Sequence, residues 1–82
     1  MNEQWPPTAN IELRVLNHPD LDGWLAIEGI IEPREPPENY YIGRMGGSFR
    51  AEDEQEGLEQ VERMVRRQAR AGGFVVDEVR ML

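Results

Sequence analysis

Residues 53–71 read DEQEGLEQVERMVRRQARA, and this stretch decides the fold because it predicts one amphipathic helix. At about 100° per residue, its mostly apolar positions fall on one stripe of the helix surface. That stripe consists of Leu58, Val61, Met64, Val65, Gln68 and Ala69. Asp53 followed by Glu56 has the spacing of a capping box. Gly72-Gly73 predicts a left-handed end to the helix.

Two strand patterns precede this helix and predict a hairpin. Ile11–Leu16 alternates between apolar and charged residues, as expected for a half-buried strand. Asn17–Asp22 followed by Gly23 is typical of a turn. Trp24–Ile31 is the second strand, and Gly29 within it suggests a β-bulge. The second strand places Leu25, Ile27 and Ile31 on one face and Trp24, Ala26, Glu28 and Ile30 on the other.

The remaining segments complete a small α+β pattern. Glu32–Asn39 contains three prolines and predicts an exposed loop without regular structure. Tyr40–Met45 is a short third strand, after which Gly46-Gly47 predicts a turn. Phe74–Met81 is a valine-rich last strand whose alternation is broken by Asp77 and Glu78.

The order β-β-β-α-β predicts a four-stranded mixed, mainly antiparallel sheet with one helix packed on one face. A helix of 18 residues spans roughly 27 Å, which is enough to return the chain across the sheet. The last strand then lies parallel to the first, and the strand order is 3-2-1-4. Residues 1–9 are expected to form an extended arm, and residues 10–82 a single α+β domain. The uncovered sheet face would carry Trp24 and Glu28.

Composition limits the possible partners. The 82 residues carry 16 acidic residues against nine arginines and no lysine, for a net charge of −7. This sign opposes direct binding to nucleic acid and favours a protein partner with a basic surface. Cysteine is absent and no apolar run is long enough to cross a membrane. We therefore expect a cytoplasmic protein without membrane contact.

The residues that catalysis needs are scarce. His18 is the sole histidine and lies with Asp20 and Asp22 in the predicted hairpin turn, which favours a turn over a metal site. Ser48 is the sole serine, and no motif places it beside His18. We expect no enzyme activity, no cofactor and no metal.

Two features predict a protein-binding surface. Residues 52–62 contain six carboxylates, spaced by roughly 2.5 Å per charge along a helix, which approaches the roughly 1.7 Å of duplex DNA. Exposed aromatic residues are typical of binding hot spots. The residues predicted to bind a partner are Trp24, Glu28, Tyr40, Tyr41, Glu52, Asp53, Glu54 and Glu56.

The chain resembles small phage-encoded anti-defence proteins, anti-CRISPR proteins in particular. The resemblance rests on small size, acidity, the β-β-β-α-β order and the stretch Gly-Gly-Ser-Phe-Arg-Ala at residues 46–51 before the helix. It implies a non-catalytic inhibitor that occludes a basic nucleic-acid-handling protein such as a CRISPR effector subunit, acting in the host cytosol.

Three alternatives remain open. Ser48-Phe49-Arg50-Ala51 before an acidic helix start is also similar in outline to the HicB-type antitoxin domain, although the Pro-Asp-Leu-Pro-Gly motif of that family is absent. A small nucleic-acid-binding protein could instead use the helix arginines, Arg63, Arg66, Arg67 and Arg70. An assembly subunit, which could be a homodimer, would use the sheet face at Leu16, Trp24 and Ile30.

Overall fold

The computed structural model describes residues 7–35 and 43–82 and confirms the predicted α+β architecture. The strands are β1 (Thr8–Asn17), β2 (Trp24–Pro33), β3 (Gly43–Arg50) and β4 (Val75–Met81). A 3₁₀ turn, Ala51–Asp53, leads into the helix α1, Glu54–Ala71. The sheet order is β3-β2-β1-β4, with β4 parallel to β1 and the other neighbours antiparallel.

The core lies between α1 and one face of the sheet, because alternate strand residues are apolar on that face. Ile11 and Ile27 from the sheet meet Val61 and Val65 from the helix, and all four are fully buried. Leu58 packs against this cluster from the side. Met64 and Gln68 are exposed, so the predicted stripe wrongly includes these two positions in the face that packs on the sheet. The buried helix residues are Gly57, Val61, Val65 and Ala69.

Two glycines allow the helix to approach the sheet closely. Gly29 pairs with Leu13 in unbroken register, so the predicted bulge there is wrong. A Cβ atom at Gly29 would lie 2.5 Å from Val65 Cγ2, well inside van der Waals contact. Gly57 meets the sheet from the other side, where a Cβ would lie 2.8 Å from both Ile27 Cδ1 and Phe49 Cγ. The absence of side chains at these two positions therefore sets the helix–sheet distance.

A β-bulge does occur, but in β4. Ala9 pairs with Val76 and Ile11 with Val79, so two β4 residues, Asp77 and Glu78, lie opposite a single β1 residue. The extra residue keeps Val76 and Val79 against the core although they are three apart in sequence. This bulge is the physical reason why the alternation of β4 is broken at Asp77 and Glu78.

β1 and β2 run further than predicted. β1 begins at Thr8, within the predicted arm. β2 continues through Pro33, into the predicted loop, because its backbone still pairs with β1 there: Arg34 N donates to Thr8 O at 3.1 Å. The missing N–H of Pro33 then faces the other side, beyond Ile31 and Gly43, where the pairing of the described residues ends.

The prediction of a turn at Gly46-Gly47 is also wrong, since both residues lie inside β3, opposite Glu28 and Ile27.

The left-handed end predicted for the helix occurs at one of its two glycines. Gly73 has φ 89°, whereas Gly72 has φ −83°. Asp53 is the N-cap residue but makes no side-chain capping hydrogen bond, so the predicted capping box is wrong. Its backbone is not extended because the preceding 3₁₀ turn already occupies that segment.

Candidate protein-binding surface

The first hairpin turn is held by its histidine. His18 Nδ1 accepts hydrogen bonds from the backbone N–H groups of Asp20 and Leu21, both at 3.1 Å. The backbone N–H of His18 donates to Trp24 O at 3.0 Å, and Gly23 completes the turn with φ 79°. These contacts place Trp24 at the first position of β2. They also give the His18 side chain a structural role in the turn.

Trp24 forms a cation–π pair with Arg50 on the uncovered face of the sheet. Trp24 lies directly opposite Arg50 in the β2–β3 register. The guanidinium Cζ of Arg50 is 5.4 Å from the centroid of the Trp24 ring, within the range of a favourable contact. Trp24 is half-buried as a result. Arg50 was not among the predicted site residues, because the third strand was expected to end at Met45.

Arg50 also joins this aromatic residue to the acidic run. Arg50 Nη1 lies 3.7 Å from Glu52 Oε1. The backbone N–H of Ala51 donates to Gly23 O at 2.9 Å, which ties the start of the helical segment to the hairpin turn. Trp24 and the carboxylates that follow Arg50 therefore share one end of the domain.

The carboxylates at this end are available to a partner. Glu52, Asp53, Glu54 and Glu56 are all exposed. Within the described residues, Asp53, Glu54 and Glu56 take part in no ion pair, and Glu52 has only its contact with Arg50. Their charges are favourably placed near the positive end of the helix dipole. We call Trp24, Arg50 and these four acids the acidic end.

The outward face of α1 changes sign along its length. Glu56 and Glu59 precede Arg63 and Arg67 on this face. Glu62 and Arg66, one helical turn apart, form an ion pair at 2.9 Å. Glu59 forms no ion pair with Arg63, which lies one turn further along, and instead accepts a hydrogen bond from Gln55 Nε2 at 3.5 Å. An open groove of about 600 Å³ on the acidic half is bordered by charged and amide side chains, which suits a macromolecular contact more than an apolar ligand.

The structure separates Glu28 from the acidic end. Glu28 lies on the same sheet face as Trp24 but four residues further along β2. Its Oε1 is 3.7 Å from Arg14 Nη1, so a neighbouring cation compensates its charge. Tyr40 and Tyr41, also predicted to bind a partner, lie outside the described residues.

A second carboxylate cluster lies on the same sheet face, towards the other end. Glu12 on β1 and Glu32 on β2 form a hydrogen bond through their side chains, which raises the pKa of Glu12. Burial and the charge of Glu32 raise it further, whereas Arg80 and Arg14 lower it. Asn10 Oδ1, on the same face, is buried and has no hydrogen-bond partner among the residues that the structure describes. This cluster could not be predicted from sequence, because it depends on the β1–β2 register.

Within residues 7–35 and 43–82, no three His, Asp or Glu side chains meet in a group that could hold a metal ion. The described part of the chain also contains no helix with the length and apolarity needed to cross a membrane. No protein-family model, curated protein or solved structure matches this chain.

Proposed function

We propose that this chain is a non-catalytic inhibitor that binds through its acidic end to a basic surface of a nucleic-acid-handling protein. The observation that carries the proposal is the continuous contact from Trp24 through Arg50 to Glu52, because it joins an aromatic residue to a run of uncompensated carboxylates. Aromatic residues and arginine dominate many binding hot spots, and surrounding charges steer association.

The chemistry of the partner follows from the charge. A surface that normally binds phosphates presents arginine and lysine side chains, and a dense row of carboxylates can pair with the same groups. Occupying that surface would block access of nucleic acid without any reaction. A CRISPR effector subunit in the cytosol of a phage-infected host is the specific partner that the resemblance to anti-CRISPR proteins suggests.

A charge-matched pair of variants tests the mechanism. In the first, Glu52→Gln, Asp53→Asn, Glu54→Gln and Glu56→Gln change together. In the second, Glu12→Gln, Glu32→Gln, Glu35→Gln and Glu78→Gln change together, away from the acidic end. Each set removes four negative charges and takes the net charge from −7 to −3, since −7 + 4 = −3.

The assay measures whether the chain competes with target DNA for guide-loaded CRISPR effector complexes. A gel mobility shift at two salt concentrations reports how much DNA stays bound. We expect the unmodified chain and the second variant to displace the DNA, and the first variant to fail. Equal inhibition by both variants would rule out the acidic end as the contact. Direct, tight binding of the chain to duplex DNA or RNA at low salt would instead favour the helix arginines.

A further inference from the structure

The two edges of the sheet differ in how they are protected against pairing with another chain. β4 carries the bulge at Asp77 and Glu78, and bulges and charges are common ways of blocking an edge strand. β3 pairs with β2 over its whole length without a register shift, from Gly43 to Arg50. It contains no proline and no lysine. In the described part of the chain, nothing pairs with its outer edge.

The side chains of β3 on the uncovered face define what a new neighbour would meet. Arg44, Gly46, Ser48 and Arg50 alternate along this face. Arg44 is exposed and has no ion-pair partner among the described residues. Gly46 has no side chain, and a shallow depression of about 330 Å³ lies there, between Arg44 and Ser48 and against β2. Arg44, a cation, therefore lies two residues along the strand from Gly46, where no side chain covers the sheet.

We propose that β3 binds an extended segment of a partner protein, which adds to the sheet as an antiparallel fifth strand. Its backbone forms hydrogen bonds with the free edge of β3. An acidic side chain lies opposite Arg44, and a bulky side chain two residues earlier in the segment lies opposite Gly46 and covers the depression. Large side chains across from an edge glycine compensate for its missing contacts.

A second copy of this chain fits the same edge poorly. A twofold β3–β3 pairing that keeps both helices on one side needs a residue of β3 on the axis, and the two registers that pair most of the strand place Gly46 or Gly47 there. With Gly47 on the axis, Arg44 lies opposite Arg50 of the other copy, and like charges directly opposite each other are destabilising. With Gly46 on the axis, the two glycines face each other and neither depression is covered. Both copies also carry a net charge of −7.

The test uses the full chain, labelled with nitrogen-15, and the synthetic peptide acetyl-DTTTYTD-amide. In antiparallel pairing this peptide places Asp opposite Arg44 and Arg50 and Tyr opposite Gly46. We expect the amide resonances of Gly43–Arg50 to shift on titration and those of β4 to stay in place. The peptide acetyl-KTTTYTK-amide should bind roughly fivefold more weakly.

Arg44→Glu is the informative variant, since it should abolish this preference: with Glu at position 44 and Arg50 unchanged, each peptide meets one like and one opposite charge. Gly46 is not suitable, because a Cβ there would collide with Ile27 O on β2. Shifts confined to β4 or α1, no shift at millimolar peptide, or an unchanged preference in Arg44→Glu would each overturn the proposal. So would concentration-dependent dimerisation that alters the β3 resonances without peptide.

This edge site shares only Arg50 with the acidic end. The variant Glu52→Gln, Asp53→Asn, Glu54→Gln, Glu56→Gln keeps Arg44 and Arg50, and should bind the aspartate peptide at least as tightly as the unmodified chain does. A failure of inhibition therefore leaves the edge proposal standing, and a failure of the peptide leaves the proposed function standing.

Discussion

Val65 on α1 packs directly over Gly29 on β2, where a single added carbon would lie 2.5 Å from Val65 Cγ2. The contact lies at the centre of the core, with Leu13 Cδ2 at 3.2 Å and Val61 Cγ1 at 3.3 Å from the same point. The closest approach of helix and sheet therefore requires glycine at position 29, because this residue has no side chain.

Gly29→Ala is expected to lower the free energy of unfolding by about 1–3 kcal/mol, because overpacking a tight core forces neighbours to move. Val65→Ala alone should also destabilise, by leaving a cavity. The double variant should be more stable than the sum of the two changes by about 1 kcal/mol, since the smaller side chain makes room for the new one. Urea denaturation of all four proteins measures this coupling.

Gly72→Ala is the matched control for Gly29→Ala. A Cβ at Gly72 would make ordinary contacts of 3.5 Å with Ala69 O and Phe74 Cδ2. The backbone φ of −83° suits any residue. A change beyond about 0.5 kcal/mol at this position would mean that glycine replacement is harmful for a reason other than core overlap.

Gly57→Ala should reverse the usual effect of this change in a helix. Alanine normally stabilises a helix interior by about 1 kcal/mol relative to glycine. Here the new Cβ would lie 2.8 Å from Ile27 Cδ1 and Phe49 Cγ, so we expect a net loss of stability. Thermal unfolding monitored by circular dichroism gives the sign, and a higher melting temperature would refute the close contact.

Glu12→Gln is expected to change how stability depends on pH. The hydrogen bond with Glu32 raises the pKa of Glu12 in the folded state, so the folded chain holds this proton after the unfolded chain has released it. The stability that protonated Glu12 provides is complete below the ordinary pKa of glutamate and is lost as pH rises through the raised value. Glutamine carries no charge and should make the variant more stable than the unmodified chain at about pH 7, with little difference at about pH 3.

Chemical denaturation at a series of pH values measures this difference, and Glu35→Gln provides an exposed control. A Glu12→Gln protein with an unchanged pH profile would show that the Glu12–Glu32 contact does not affect folding.

His18→Ala should destabilise the first hairpin by about 1–2 kcal/mol, because two exposed backbone N–H groups lose their shared acceptor. Asparagine at the same position keeps a side-chain acceptor suited to turns and should lose less. Hydrogen exchange of the Asp20 and Leu21 amides reports the effect locally. Protection in His18→Ala equal to that in the unmodified chain would argue against a structural role for the imidazole.

The sequence was informative wherever a repeating pattern extended over many residues. The alternation in Trp24–Ile31 correctly assigned the buried and open faces of β2. It failed at Gly46-Gly47, where two glycines that resemble a turn lie in mid-strand and Phe49 continues the core-facing alternation begun at Met45. That alternation was present in the sequence, but the pair of glycines led to the prediction of a turn instead of a continuing strand.

At the candidate site, too, one feature could be predicted from the sequence and another could not. Exposure of the carboxylates at residues 52–56 follows from their density, and the sequence predicted it. The contact of Trp24 with Arg50 could not be predicted, since it depends on β3 extending to Arg50 and on a cross-strand register that brings distant residues together.

The sequence by itself determined the element order, the strand order and the charge of this protein, because periodicity and composition are properties of the chain alone. The tertiary structure alone decided which glycines lie under the helix, that β4 is bulged opposite Asn10, and that Glu12 shares a hydrogen bond with Glu32. Each of these depends on atoms far apart in sequence that approach within a few ångströms. Only the packing of helix on sheet and the register between strands sets such distances.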